Sequence, residues 1–342
     1  FPLNRNFKDI SNLLSKLTFR RLFNFSKILG SYYLSRITGK ASVSGMPVSI
    51  SMEPTTSCNL RCPECPSGLR AFSRPTGMLQ PDFFEKVVDE LAPDLLYLIL
   101  YFQGEPFLNK NLFEMIRYAS QKKIYTATST NAHYLDDDNA RKTIESGLDR
   151  LIISIDGTTQ ETYQQYRIGG SLEKVIKGAQ NMVKWKRQLK SKTPHLIFQF
   201  LVVKPNEHQI KEVQQLAKSI GIDEVVYKTA QLYDYVHGNE LMPNDLTHSR
   251  YKKNKDGTYS IRNPLLNHCW RMWHSCVITW DGNVVPCCFD KDASHRLGQV
   301  ATLGFRKVWQ SEPYNRFRKL VLKSRSNIDI CTNCTEGTKV WT

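Results

Sequence analysis

Between residues 47 and 235 short apolar runs alternate with longer amphipathic ones. Residues 48–53, 96–102, 124–130, 151–156, 196–203 and 225–228 read as strands: they are short, rich in β-branched and aromatic residues, and bounded by turn formers. Between them, 81–91, 112–121, 136–146, 172–189 and 208–220 repeat apolar positions at helical spacing, the first opening on Pro81. Six strands alternating with helices predict an α/β fold, a parallel sheet with right-handed crossovers. Six units are fewer than the eight that close a barrel, so the expected form is a partial (β/α)6 TIM-like barrel, open on one side.

The flanks break this pattern. Over 13–37, Leu13, Leu14, Leu17, Leu22, Phe25, Ile28, Leu29 and Tyr32 recur near helical spacing, with Lys16, Arg20, Arg21, Lys27 and Arg36 among them. Eight basic residues in 1–40 face one acid, Asp9, so this stretch holds +7 of the chain's +15. Two roles are open for such a helix: packing its apolar face on the main domain, or lying on an anionic membrane surface. Beyond 236 the repeat stops. Segment 237–265 is polar with no clear element, 277–280 and 284–286 form a hairpin about Asp281-Gly282-Asn283, and a helix at 308–323 leads to Cys331-Thr332-Asn333-Cys334. The expected division is 1–46, a basic amphipathic helical extension; 47–235, the core; and 236–342, a small α+β domain.

Composition narrows the class. A hydrophobic fraction of 41% and no apolar run beyond the eight residues of 95–102 exclude a helical membrane span, which needs roughly 20. The chain opens on Phe1, which leaves a preceding segment open, and nothing in it patterns as a secretion signal. Nine cysteines fall in three groups, 58–65, 269–288 and 331–334, with CxxC spacings in an enzyme-sized chain. That points to metal or cluster ligation in a reducing cytoplasm rather than a disulfide framework, with 1–40 able to place the chain at the periphery of the inner membrane.

Cys58-Asn59-Leu60-Arg61-Cys62-Pro63-Glu64-Cys65 carries the chemistry. Three thiols at CxxxCxxC spacing are one short of the four a cubane takes, so one iron stays open. A zinc site would want a fourth nearby ligand, and the next histidine, His133, follows a different strand. The run resembles the signature of the radical SAM superfamily, over about 47–235. That resemblance implies a [4Fe–4S] cluster on Cys58, Cys62 and Cys65 whose open iron chelates S-adenosylmethionine (SAM). It also implies that Gly104-Glu105-Pro106, at the second strand's end, lies along the methionine moiety. Gln103 stands where the family usually has a glycine. Ser129 or Ser154 would bond the ribose, Asn131 would line the same rim, and Arg167 would pair with the SAM carboxylate. Glu64 replaces a usual aromatic, leaving the adenine to backbone and to Phe200 and Val202. Gln103, Gln199 and Lys228 are expected to line the barrel.

Cys269, Gly282, Cys287 and the Cys331/Cys334 pair resemble a SPASM/twitch domain, which implies a second, auxiliary [4Fe–4S] cluster on Cys269, Cys287, Cys331 and Cys334. A four-cysteine zinc site is the competing reading, and Cys276 and Cys288 are expected to be bystanders. The resemblance implies cleavage of SAM to a radical that takes hydrogen from a substrate, with an external one-electron donor of flavodoxin or ferredoxin type. A small hydroxylated, sugar or lipid-headgroup substrate is expected, because only 46 residues, a basic amphipathic stretch, precede the core, fewer than a leader-binding domain needs. A peptide substrate, an RNA substrate, and a zinc-stabilised nucleic-acid-binding protein are the alternatives. No recognition-helix or RRM-type motif supports nucleic acid.

Overall fold

The computed structural model describes residues 7–340; the first six residues of the basic extension, Arg5 included, lie outside the described residues. All six predicted strands form: β1 (Ser49–Met52), β2 (Tyr97–Ile99), β3 (Tyr125–Thr130), β4 (Arg150–Ser154), β5 (His195–Val202) and β6 (Glu224–Thr229). They pair in parallel in chain order. Two of the predicted helices, Pro81–Leu91 and Leu112–Gln121, have the expected limits. A short helix, Gln160–Tyr166, capped by Thr159, was not foreseen.

Register decides which side chains meet. Ser129 lies level with Ile152, and Ile152 with Ile197; Ser154 lies level with Gln199, and Leu201 with Lys228. Alternation then puts these residues on the inner face. Leu151, Ile153, Phe198, Phe200 and Val202 take the other face and join the main core beneath the helices.

The C-terminal hairpin does not stand apart. Strand β7 (Tyr251–Lys253) pairs with β8 (Tyr259–Ile261) inside the segment expected to lack elements. Strand β9 (Ser275–Ile278) pairs in parallel with β1, and β10 (Asn283–Val285) and β11 (Gly298–Gln299) continue from it as antiparallel strands. One nine-stranded sheet thus runs from the six-unit core into the cysteine-bearing C-terminal region. The helix expected at 308–323 is two, Phe305–Trp309 and Glu312–Ser324, broken where Ser311 caps the second.

The N-terminal segment is also two helices, α1 (Phe7–Ser15) and α2 (Phe19–Thr38), with Thr18 capping the second. Their orientation corrects the expectation. The buried residues of α2 are Arg21, Asn24, Ile28, Ser31, Tyr32 and Ser35, whereas Leu22 is 52% exposed. A mainly polar face packs because what it meets is backbone. Arg21 Nη1 donates to the Lys16 and Lys123 carbonyls, and Nη2 to those of Ala92 (2.8 Å) and Lys122 (3.1 Å). Three of these carbonyls end helices Pro81–Leu91 and Leu112–Gln121, where orphan acceptors and the negative dipole end favour a cation. Asn24 bonds both the N–H and the C=O of Met46 at 2.8 Å.

These helices close the N-terminal end of the strands. Asp9, 5% exposed, accepts from Tyr125 Oη and pairs with Arg150 below the stacked Tyr97–Tyr125 rings. The opposite, carboxyl ends of the strands carry the cysteine loop. Among the described residues no helix is long and apolar enough to cross a membrane.

Candidate active site

The cysteine loop is folded onto the end of β2. Gly104 adopts φ +73°, and a Cβ there would overlap the Thr55 carbonyl oxygen, so the close approach of the two loops requires glycine. Gly104 N–H donates to Ser67 Oγ at 2.8 Å and Glu105 N–H to the Ser57 carbonyl at 2.7 Å. The Glu105 carboxylate is turned inward: it accepts from Thr130 Oγ1 (2.8 Å), Asn131 N–H (2.7 Å) and Phe107 N–H (3.2 Å). Burial pushes this carboxyl up to about 7 despite those bonds. Glu105 therefore clamps the ends of β2 and β3, while Pro106, also buried, starts a single 3-10 turn.

Around the loop the polar groups converge. Asn131 Nδ2 lies 3.9 Å from Cys58 Sγ and donates to Asn59 at 2.8 Å. Arg167 Nη1 lies 3.8 Å from Cys62 Sγ, and Arg167 Nε donates to Asp156 Oδ2. Asp156 is 1% exposed, and its other oxygen accepts from Leu201 N–H at 2.7 Å. The guanidinium is thus held on one edge and directed at the cysteines by the other. Burial pushes the Cys58 thiol up to about 11, and Cys62 up against the pull of Arg167. Such sulfurs lose their protons only against strong positive charge, which metal ligation supplies. Gln103, 8% exposed, has an Oε1 with no hydrogen-bond partner. A buried orphan acceptor beside this loop is what a ligand's N–H or O–H would satisfy.

One expectation changes. Phe200 and Val202 point away from the loop into the main core; Leu201 and Val203, of the opposite parity, pack with Leu60, Cys62 and Tyr166. Ser129 and Ser154 do lie on the inner face with Gln199, and Lys228 joins the same row. Glu64, in place of an aromatic, accepts from Tyr233 N–H at 2.9 Å and ties the loop to the chain beyond β6. His133 has its Nδ1 2.9 Å from the Asn131 carbonyl and its Nε2 accepting from Ser171 N–H, so both ring nitrogens serve the loop after β3.

The second cysteine set gathers around two arginines. Arg325, 1% exposed, places Nη2 3.2 Å from Cys334 Sγ and donates to the His268 and Glu336 carbonyls. Cys269, Cys331 and Cys334 all lie near it, and Cys287 lies near Cys269 and Cys334. Arg271 pairs with Glu336 beside Cys287 and Cys288. Fixed cations around four thiols suit an anionic sulfur cluster. Cys276 lies apart in β9, 2% exposed, near Arg318. Cys288 is exposed. Among the described residues no three such donors are drawn tightly enough together for a single metal ion.

Sequence reasoning gave Asp156 and Thr130 no role of their own and missed Arg325. Asp156 was visible as a polar strand end. Nothing local marks Arg325, whose partners lie in other segments.

The pattern of the Radical SAM superfamily matches residues 52–218, and that of the SPASM iron–sulfur cluster-binding domain matches 269–335. The chain is 25% identical to a tungsten-containing aldehyde ferredoxin oxidoreductase cofactor-modifying protein of Pyrococcus furiosus, over 83% of this chain and 86% of that one. It is 24% identical to a PqqA peptide cyclase of Rhodopseudomonas palustris, covering 81% and 78%. The solved structure of anSMEcpe with bound AdoMet shares the fold at a TM-score of 0.62 and 19% identity, covering 85% of this chain and 86% of that chain.

Proposed function

Given that the chain belongs to the radical SAM superfamily and carries a SPASM domain, we propose that this enzyme takes a hydrogen atom from a small hydroxylated, sugar or lipid-headgroup substrate and oxidises or epimerises it. The observation that carries this is the polar inner row Ser129, Ser154, Gln199 and Lys228, together with the unsatisfied Gln103 acceptor beside the cysteine loop.

The family brings a [4Fe–4S] cluster and SAM to the core and auxiliary iron–sulfur binding to the C-terminal region. Cys58, Cys62 and Cys65 would hold the first cluster; Cys269, Cys287, Cys331 and Cys334 would hold the auxiliary one. Bound together, these groups supply one-electron cleavage of SAM to a carbon radical, and an outlet or source for the substrate's electron. An external donor of flavodoxin or ferredoxin type feeds the first electron.

The chain's own residues position and shield. Arg167, anchored by Asp156, offers its free edge to the SAM carboxylate. Gly104 lets the backbone approach the methionine part, and Glu105 with Thr130 keeps that approach rigid. Leu60, Tyr166, Leu201 and Val203 form an apolar wall that excludes water from the cysteine loop. In this reading α1 and α2 brace the strand ends, 47–235 carries the SAM site, and 236–342 carries the auxiliary site.

A peptide substrate is the second reading. A cleft of about 390 Å³ opens between the cysteine loop and the auxiliary region, lined by Pro66, Leu69, Tyr233, Phe289 and Lys291 among others, and a PqqA peptide cyclase is among the relatives.

Anaerobic purification with iron and zinc analysis, then dithionite-driven SAM cleavage, tests the chemistry: two cubanes give ~8 irons per chain. Zinc without iron and no methionine released would sink it. A panel of carbon-deuterated polyols, sugars and peptides then separates the substrates by which one transfers deuterium to 5′-deoxyadenosine.

A further inference from the structure

The outward side of α2 has no role in this chemistry. Phe19, Phe23, Leu34 and Ile37 are 86, 57, 55 and 83% exposed, and Leu22 and Tyr33 lie beside them. At about 100° per residue, Phe19, Phe23, Gly30 and Ile37 fall within one narrow line, and Leu22, Tyr33 and Leu34 widen it to a strip of roughly 120°. Leu14 and Phe7 of α1, 56% and 83% exposed, face solvent too. Scattered exposed apolar residues are ordinary, but six on one face of one helix, interrupted by Ser26 and Gly30, mark an interaction surface.

The strip's borders are basic. Arg20 and Lys27 lie along one side and Arg36 along the other, with Lys27 Nζ 5.0 Å from the Phe23 ring centre. Beside Phe23 a hollow of about 320 Å³ is lined by Arg20, Lys27, Asn24, Asp94 and Arg306 among others. Asp94 pairs with Arg20 at 2.9 Å and lies 3.8 Å from Arg306, so one carboxylate meets two of the hollow's three cations. A net positive hollow next to exposed phenylalanine suits a phosphate at the level of lipid headgroups. A second copy of the chain fits less well, since an isologous contact through this strip would bring two copies of the same basic borders together.

We propose that α1 and α2 are an in-plane anchor to an anionic bilayer. The apolar strip sinks into the boundary between headgroups and acyl chains, and Arg20, Lys27, Arg36 and Arg306 meet lipid phosphates. The buried face of α2 stays on the protein, held by Arg21 and Asn24. Because α1 and α2 close the N-terminal ends of the strands, the anchored enzyme turns its cysteine loop away from the bilayer. Substrate and electron donor then reach the site from the aqueous side.

The test is co-sedimentation of the cluster-loaded chain with vesicles of phosphatidylglycerol and phosphatidylcholine, against phosphatidylcholine alone. Salt-sensitive binding to the anionic vesicles only is expected. Lys27→Gln with Arg36→Gln should weaken it roughly 25-fold, about fivefold per charge. Phe19→Glu with Ile37→Glu should abolish it while iron content and circular dichroism stay unchanged. Should the glutamates disturb folding, Phe19→Trp reports independently, its emission shifting to the blue on anionic vesicles. Three outcomes overturn the proposal: no binding to anionic vesicles, equal binding to neutral ones, or a wild-type dimer that Phe19→Glu/Ile37→Glu converts to monomer.

Discussion

Asp156→Asn tests the proposal that Arg167, held by Asp156, binds the SAM carboxylate. The Asp156 side chain is fully buried and that of Arg167 is 16% exposed, so their pair is weakly screened by solvent. The amide keeps the side chain's size and can still accept from Leu201 N–H, a bond worth about 1 kcal/mol. What it loses is the charge that fixes Arg167 Nε. Breaking a buried pair by removing one partner costs about 3–5 kcal/mol, so with the Leu201 bond retained about 2–4 kcal/mol is at stake. Part appears as lost stability. The rest appears as freedom of the guanidinium near Cys62, which must be re-ordered when SAM binds. Losing one oriented, charge-assisted contact is worth about 1.5–3 kcal/mol, roughly 10- to 150-fold in affinity. Equilibrium dialysis of SAM against reconstituted protein measures this, with iron content and urea unfolding recorded alongside. Arg167→Lys, which keeps the charge and loses the fork, should weaken SAM to a similar extent. SAM affinity within twofold of wild type in Asp156→Asn, with iron intact, would refute the anchoring argument.

Arg21→Met should cost about 3 kcal/mol in urea unfolding, because four carbonyl partners of a buried guanidinium lose their donor; a change below about 1 kcal/mol would mean that solvent or neighbours replace it. Replacing Cys58, Cys62 and Cys65 by alanine should remove ~4 irons and all SAM cleavage yet leave the auxiliary absorbance, whereas Cys276→Ser should leave iron unchanged; iron loss there would make Cys276 a ligand. The Glu105 carboxyl titrates at about 7 in the fold, above ~4.3 in the unfolded chain, so the folded state keeps a proton that the unfolded state releases. Its stabilising share is complete below pH ~4.3 and is lost as pH rises toward 7, at up to ~1.4 kcal/mol per unit. Glu105→Gln should remove that share of the slope in unfolding free energy against pH; an unchanged slope between pH 5 and 7 counts against the shift.

The cysteine spacing was legible as the superfamily's mark because it is a local pattern whose meaning survives without neighbours. The direction of Phe200 and Val202 was not. A strand's periodicity gives two faces, and only its pairing with β4 and β6 says which one looks at the cysteines. Glu105 read as a group lying along the ligand, but three donors from its own turn and the end of β3 take its carboxylate.

The N-terminal helices show the same division most plainly. Their amphipathicity and their +7 charge are properties of the chain alone. Which face packs depends on what waits opposite, and here that is the carbonyl ends of two helices and the backbone at Met46, which call for Arg21 and Asn24 rather than leucine. By itself the sequence determined six βα units, three thiols lacking a fourth, and a second cysteine set downstream, since these rest on spacing along one chain. Only tertiary structure decided that β9 extends the core sheet, that Asp156 sets Arg167, and that α2 turns its phenylalanines to solvent. Those are contacts between residues tens to hundreds of positions apart or across a turn whose geometry the whole barrel sets, and no local pattern encodes them.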